Sequence, residues 1–462
     1  MSNIRVRSYL DGNAPQFNAA EKNGIIPFMK AMFEQDSYGS VTPTAYEQDY
    51  VNNQLILTFS SDPGYSAGNL IQIVGSSKTS INDNYFRVSA VDGLRIYLKY
   101  DFTVLEDLTA GFIPSALIVR HAPFKWEVLY STDTQFSMRS KHEKSSKTIL
   151  SFKRPKEDSY STAKSFYTTL FHASKGLDST NGDILDDYFQ QRITELGDNT
   201  ESPYQVRIAG NYRTDSYPLE ITNTTTKYPW YLVGDDKFFY LILGNMHSYG
   251  HSSYTRDYMN FTRIPSSEET RRCVYMFGDP DKILEDDPED PTGFIFNTTY
   301  YSPVNMYSQF TTNNIDQKIS ITDYPNCLNN PVDRGHDLAP CIFLREYGNL
   351  PGSTFVANVH TMSFTGTNPN SAFSYPGPFS HGIYFFPIYL SVMFPSYGAN
   401  TSSYLRSKLP WALAPFQSLR NVTNSWVDLD YSVLKAQGKD VLTIVTLAGS
   451  NTLHRSVSFE LD

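Results

Sequence analysis

The sequence predicts a mainly β protein: a β-rich α+β fold of antiparallel sandwich-like and barrel-like domains, with a small inserted β-domain and few helices. Three observations lead there. Aromatic residues make up 15% of the chain, with 33 Tyr and 30 Phe, whereas charged residues are only 19%; aromatic side chains favour the pleated, half-buried surface of a sheet. Short apolar runs recur between clusters of Gly, Pro, Asn and Asp, as strands separated by turns do. Finally, residues 227–244, KYPWYLVGDDKFFYLILG, spell two apolar strands on either side of Gly234-Asp235-Asp236. That is the pattern of a buried hairpin, and the rest of the chain is organised around it.

Taken in order, residues 1–24 are polar and read as irregular. Residues 25–35 predict a short helix, with Pro27 suited to the first turn and Phe28, Met29, Met32 and Phe33 forming one apolar stripe. It is expected to pack on its own domain, the alternative being an arm docked on a neighbouring subunit. Residues 54–60, 69–74, 84–91 and 94–100 read as closely spaced strands, with turn signals at Asp62-Pro63-Gly64, Gly75-Ser76-Ser77 and Asp92-Gly93. Such spacing predicts a small barrel or sandwich.

Beyond Ala122, strands are expected at 124–131, 135–140, 148–154 and 162–172. Residues 183–196, DILDDYFQQRITEL, predict a helix with Ile184, Leu185, Tyr188, Phe189, Ile193 and Leu196 on one side and Gly197 as its stop. After the hairpin come strands at 272–279, 384–394, 440–446 and 456–461. The second is apolar enough for an inner strand or for a subunit contact, and Pro387 suits an edge or a bulge. The resulting division is 1–39, an N-terminal arm and helix; 40–120, the small β-domain; 121–300, a central β domain with one long helix; and 301–462, a C-terminal β-rich region.

A net charge of −10 disfavours non-specific binding to nucleic acid. Cys273, Cys327 and Cys341 show neither a C-x-x-C pair nor an even count, so free thiols are expected, with no zinc and no disulfide framework. No stretch has the apolar length of a signal peptide core or a membrane span, which suits synthesis in a cytoplasm. Three constellations are candidates for chemistry. The acidic loop from Asp279 to Asp290, with Asp281, Glu285, Asp286, Asp287 and Glu289, has prolines at 280 and 288 and lacks the central glycine of a calcium loop. His247 and His251 have i, i+4 spacing but flank Gly250 and Ser/Tyr residues that argue against a helix. Asp235 and Asp236 are adjacent, so on a strand they would point apart rather than across a sugar, and a turn role is the better reading. No catalytic, cofactor-binding or metal-binding residue is therefore expected, and no cofactor.

Pro229-Trp230 followed by Leu232-Val233-Gly234-Asp235-Asp236 and Phe239-Tyr240 resembles a block of a widespread family of tailed-bacteriophage virion proteins, described as structural, tail or baseplate-associated. Similar blocks occur in the same order elsewhere. Trp126-Glu127 matches a Gly-Trp-Glu-like strand, with Lys125 in place of the glycine. Met138-Arg139-Ser140 matches a Tyr-Arg-Ser-like strand, and Phe152-Lys153-Arg154 a strand ending in a basic residue. Phe277-Gly278-Asp279 matches Phe-Gly-Asp. Leu405 to Pro415, LRSKLPWALAP, is similar to Leu-Arg-Gly-Arg-Leu-Pro-Gly-x-x-Ala-Pro. The resemblance runs from about residue 20 onward and is poor over 301–375.

This resemblance implies a non-enzymatic structural component of the virion, an adaptor in the tail, baseplate or neck joining symmetric rings or fibres. Its partners would be other copies of itself and other virion proteins, with no nucleic acid and no membrane. The alternatives are a polysaccharide-binding or -degrading tail spike, whose usual repeats are missing here, and a head decoration protein. A multimer is expected, in which residues 1–24, 365–380 and 396–403 are ordered only under a neighbouring subunit.

Overall fold

The computed structural model describes residues 4–12, 14–15, 25–34, 39–102, 114–143, 145, 147, 149–153, 168–174, 176–185, 206–209, 230–244, 247–249, 272–278, 281–282, 300–303, 342–345, 354–361, 385–393, 403–415, 431–436, 438–447 and 455–461. Strand β1 (Arg5–Ser8) and helix α1 (Ile26–Phe33) precede β2 (Ala45–Asp49), β3 (Gln54–Thr58), β4 (Leu70–Val74), β5 (Tyr85–Asp92), β6 (Arg95–Lys99) and β7 (Ile118–His121). Then follow β8 (Trp126–Ser131), β9 (Gln135–Ser140), β10 (Ile149–Lys153), β11 (Thr168–Ser174), β12 (Val206–Ala209), β13 (Trp230–Gly234), β14 (Phe238–Gly244), β15 (His247–Tyr249), β16 (Arg272–Gly278) and β17 (Asp281–Lys282). The last strands are β18 (Tyr300–Pro303), β19 (Ile342–Arg345), β20 (Thr354–Thr361), β21 (Phe385–Met393), β22 (Ser403–Pro415), β23 (Tyr431–Ala436), β24 (Lys439–Leu447) and β25 (Arg455–Glu460).

The protein is mainly β, and its described strands form three antiparallel sheets. The largest runs β1-β13-β14-β16-β18-β19-β20-β21-β22-β25-β24-β23, with β17 pairing β22. The second runs β15-β12-β11-β10-β9-β8, and the third β2-β3-β6-β5-β4-β7. The hairpin β13–β14 is buried on both faces, which is why its sequence is a continuous apolar run rather than an alternating one. Trp230, Leu232, Phe239 and Leu241 share one face and join Phe124, Trp126, Phe136, Met138, Leu150, Phe152 and α1 in a common core. Tyr231 and Tyr240 point the other way, where Tyr231 stacks on Tyr431 of β23 (5.5 Å, 10°) and Tyr240 meets Phe459 of β25 at 4.9 Å. The two ends of the large sheet are thus folded face to face.

Helix α1 packs on its own chain. Phe28 meets Trp230 edge-on at 4.8 Å, and Phe33 lies 5.3 Å from Phe124 and 5.2 Å from Phe239. Truncating such a fully packed aromatic costs about 3–5 kcal/mol. Strands β2 to β7 curl into a six-stranded barrel with a core of its own, including Leu55, Leu57, Ile71, Ile73, Phe86, Val88, Ile96, Leu98 and Val119. Val41 closes the ring, exchanging backbone hydrogen bonds with Val119 at 2.9 and 2.8 Å.

Two expectations are corrected. Residues 4–11 are not irregular: β1 is a buried strand paired with β13, Arg5 opposite Gly234 and Ser8 opposite Tyr231. Arginines hide the strand in the sequence, yet Arg5 and Arg7 turn their long stems toward the core side of β13. The chain's own barrel therefore covers this segment. Residues 183–185 do not start a helix either. The turn from Asp178 to Asp183, closed by Asp178 N–H to the Asp183 carbonyl at 2.8 Å, folds Ile184 back into a bridge opposite Leu177, leaving Leu185 58% exposed. Residues 186–196, the remainder of that expected helix, lie outside the described residues, as do 365–380 and 396–402. Within the apolar run expected at 384–394, Phe385–Met393 form an inner strand, β21 between β20 and β22, and its ladder with β22 shifts register between Pro387 and Tyr389, a bulge of the kind that accommodates a proline.

Candidate functional site

The Gly-Asp-Asp turn is a structural node. The Asp235 carboxylate accepts from the amides of Lys237 (2.7 Å) and Phe238 (2.9 Å), and Asp235 N–H donates to the Phe238 carbonyl, which fixes the hairpin. Burial pushes the Asp235 carboxyl above its ordinary range, against the pull of those two amides. The turn's outward carbonyls are also taken. Trp126 donates its indole N–H to Asp235 O at 2.9 Å, and Ser140 its hydroxyl to Asp236 O at 2.6 Å. Glycine is required around this node by close approach: a Cβ on Gly234 would sit 2.4 Å from Phe238 O, and one on Gly278 2.2 Å from Lys237 O. Tyr240, next along β14, donates to Pro410 O in β22 at 2.8 Å. The blocks at 126–127, 138–140, 230–240 and 277–278, scattered over the sequence, therefore meet at this turn, and the 405–415 block reaches the same hairpin through Tyr240.

A second polar cluster lies where the barrel meets both ends of the large sheet. On β1 the amide of Tyr9 continues the ladder to Trp230 O, so the carbonyls of Ile4 and Val6 point away from β13. The barrel supplies their donors. Arg87 reaches Ile4 O at 2.7 Å and Asn69 reaches Val6 O at 3.0 Å. Arg87 also donates to Gly68 O (3.0 Å) and to Leu461 O (3.1 Å), just past β25. Tyr431 of β23 donates to Ala67 O at 2.9 Å, and Lys99 of β6 pairs with Asp440 of β24 at 2.5 Å. Burial alone would raise the Asp440 carboxyl, but Lys435 and Lys99 together hold it below the usual range.

Alongside, Arg7 donates to Met32 O (3.1 Å) and Ala122 O (2.9 Å), its guanidinium 4.9 Å from the Phe124 ring. Asp11 accepts from Ser8 N–H at 2.8 Å and lies 3.8 Å from His121. Burial pushes Asp11 up to about 6, although the Ser8 amide and Arg7 pull it down. Burial, with Arg7 nearby, holds His121 well below the usual imidazole range. Tyr65 donates to Gly39 O and Val119 O and presents its ring edge-on to His121.

Arg7, Arg87, Asn69, Tyr65 and Tyr431 turn side-chain donors to backbone carbonyls, whereas Lys99 and the Ser8 amide meet the carboxylates of Asp440 and Asp11. The arrangement holds β1, the barrel and the C-terminal strands together. Of the constellations read from the sequence, Asp235 and Asp236 form the turn; His247 lies in β15 opposite Ala209, not on a helix; Cys273 lies in β16 opposite Leu243; and Asp281 pairs with Lys408 across β17–β22. His251, Cys327, Cys341, Asp279 and residues 283–290 lie outside the described residues. Among the described residues no group of three His, Cys, Asp or Glu is placed to hold a metal ion, and no helix is long and apolar enough to cross a membrane. Sequence reasoning missed Arg7, Asp11, Arg87 and His121. No protein-family model matches the chain, and no curated protein matches it significantly.

Proposed function

We propose that the chain is a non-enzymatic structural component of a tailed-phage virion, an adaptor in the tail, baseplate or neck that joins symmetric rings or fibres. The observation that carries this reading is the backbone at Lys125 and Trp411. Both residues stand where the phage blocks have glycine, and both have a left-handed backbone, with φ of 58° and 57°. Such a conformation costs an ordinary residue roughly 1–2 kcal/mol and is the usual reason for a glycine. The third glycine of those blocks falls on Ser407, opposite Leu390 and beside a register shift of the β21–β22 ladder. A pattern noticed in sequence alone thus marks two places where this backbone asks for glycine, as it should if the chain shares the family's backbone. The convergence of the blocks on the Gly-Asp-Asp turn supports the same reading. They are framework residues, and a protein built on them works through its surfaces.

Mass spectrometry of purified particles, with a low-resolution map of the particle, tests the proposal. The chain should be present at a fixed copy number consistent with tail symmetry. Its absence from intact particles would overturn the reading, and a position on the capsid shell would favour the decoration alternative. Release of reducing ends from capsular polysaccharide by the purified protein would favour the tail spike.

A further inference from the structure

We propose that Arg87 is a clasp that couples the seating of the N-terminal strand β1 to the seating of the C-terminal strands β23–β25. This goes beyond the virion reading and does not depend on it. One guanidinium, 1% exposed, donates to a carbonyl just before β1 (Ile4), one in its own barrel (Gly68) and one just after β25 (Leu461), which lies 374 residues away in sequence. A planar fork with donors on both sides suits three separated carbonyls; a lysine has one point of charge and cannot span them.

Among the described strands, β1 and β23 end the large sheet's order, so each has one side with no described strand partner in the sheet. Open strand edges carry unpaired carbonyls and amides that must be satisfied elsewhere. On β1 the barrel does this with Arg87 and Asn69. At the other end of the order, the Tyr431 hydroxyl closes on Ala67 O, two residues before Asn69 in the same barrel turn. Tyr231 then sits between the two ends, 5.6 Å from Tyr9 and stacked on Tyr431.

If the C-terminal strands withdraw, Arg87 loses the Leu461 carbonyl and Tyr231 loses its stacking partner. A buried guanidinium short of acceptors is costly, so the barrel's hold on Ile4 weakens at the same time. The coupling is reciprocal, as any equilibrium coupling must be. Release of β1 also frees the outer edge of β13, a ready acceptor for another strand. The clasp therefore has two states: closed with both ends seated, and open with both ends released and a strand slot exposed.

Hydrogen exchange on the full chain, comparing wild type with Arg87→Lys and Arg87→Met, tests this. Charge-assisted bonds of this kind correspond to protection factors changed roughly ten- to a hundredfold. The expected result is that amides of β1 and of β24–β25 lose protection together and by similar factors, while β3 and β6 inside the barrel keep theirs. Tyr431→Phe, which removes only a hydroxyl, should move both ends in the same direction by a smaller factor. Loss at one end alone, or at neither, would overturn the proposal. Loss of barrel protection in Arg87→Lys would overturn it too, because Arg87 would then be a residue of the barrel's own stability rather than a link between the ends.

Discussion

The indole N–H of Trp126 ends on the carbonyl of Asp235, 2.9 Å away, joining the first strand of the second sheet to the turn of the central hairpin across 109 residues of sequence. Trp126 also packs edge-on against Phe239 at 5.3 Å, so its ring and its N–H serve the same junction. Replacing it with Phe keeps most of the ring contact and leaves the Asp235 carbonyl unpaired. Trp126→Phe should cost about 1–3 kcal/mol of unfolding free energy, read as a lower urea midpoint at unchanged slope. A variant as stable as wild type would mean that water replaces the indole there.

Lys125→Gly should stabilise the protein by about 1 kcal/mol, because φ of 58° is free for glycine and strained for lysine. The lysine ammonium lies 5.1 Å from the Tyr85 ring, and this contact is lost in Lys125→Ala as well as in Lys125→Gly. The difference between the two variants isolates the backbone. Equal midpoints for Ala and Gly would show that the conformation at 125 carries no strain.

Gly278→Ala should be among the most damaging single-methyl changes in the chain. Its Cβ would meet Lys237 O at 2.2 Å on a backbone with φ of 108°. Steric clash and backbone strain together come to about 3 kcal/mol or more, enough to cut the yield of folded protein. Gly234→Ala, at 2.4 Å from Phe238 O, should behave alike. Thermal melts within a degree or two of wild type would contradict the close approach.

The Asp11 carboxyl gives a pH prediction. Its folded pKa, about 6, lies above its ordinary 3.8. A raised carboxyl contributes stability that is fully present below pH 3.8 and is lost as pH rises through about 6. A rise of that size corresponds to about 3 kcal/mol as an order of magnitude. His121, depressed by burial, has the opposite slope: its contribution is present above 6.5 and lost as pH falls below that. Asp11→Asn removes only the first contribution, so its effect relative to wild type should be more favourable at pH 8 than at pH 4 by about that amount. Denaturant titrations of both proteins across this range check it, and parallel curves would refute the assignment.

The barrel strands β3 to β6 were legible because Pro-Gly and Asp-Gly turns punctuate apolar runs of the right length. The hairpin β13–β14 was legible because burial on both faces leaves no polar residue to blur it. Strand β2, AYEQD, was not, since its side chains are half-exposed or exposed and it is held by its ladder with β3 rather than by apolar burial. In and just before β1, Val6 and Ile4 do alternate with arginine, but buried arginines read locally as solvent-facing ones. The polar cluster at the barrel was illegible for a different reason: Arg7, Asp11, Arg87, His121 and Tyr431 are far apart in the chain and come together only through the ring closure and the folding over of the large sheet. The Asp235 turn, by contrast, is local chemistry, and its sequence states it.

The pairing of β1 with β13 also sets a schedule for the nascent chain. β1 is made first, but the strand it pairs with emerges roughly 220 residues later, which at about 5–20 residues per second is roughly ten to forty seconds of translation. Throughout that wait the segment Ile4–Ser8 has no ladder to join, while the barrel, complete by His121, can already have folded. Its two arginines suit that interval, because charge keeps an idle strand soluble and apart from other nascent chains until its place exists.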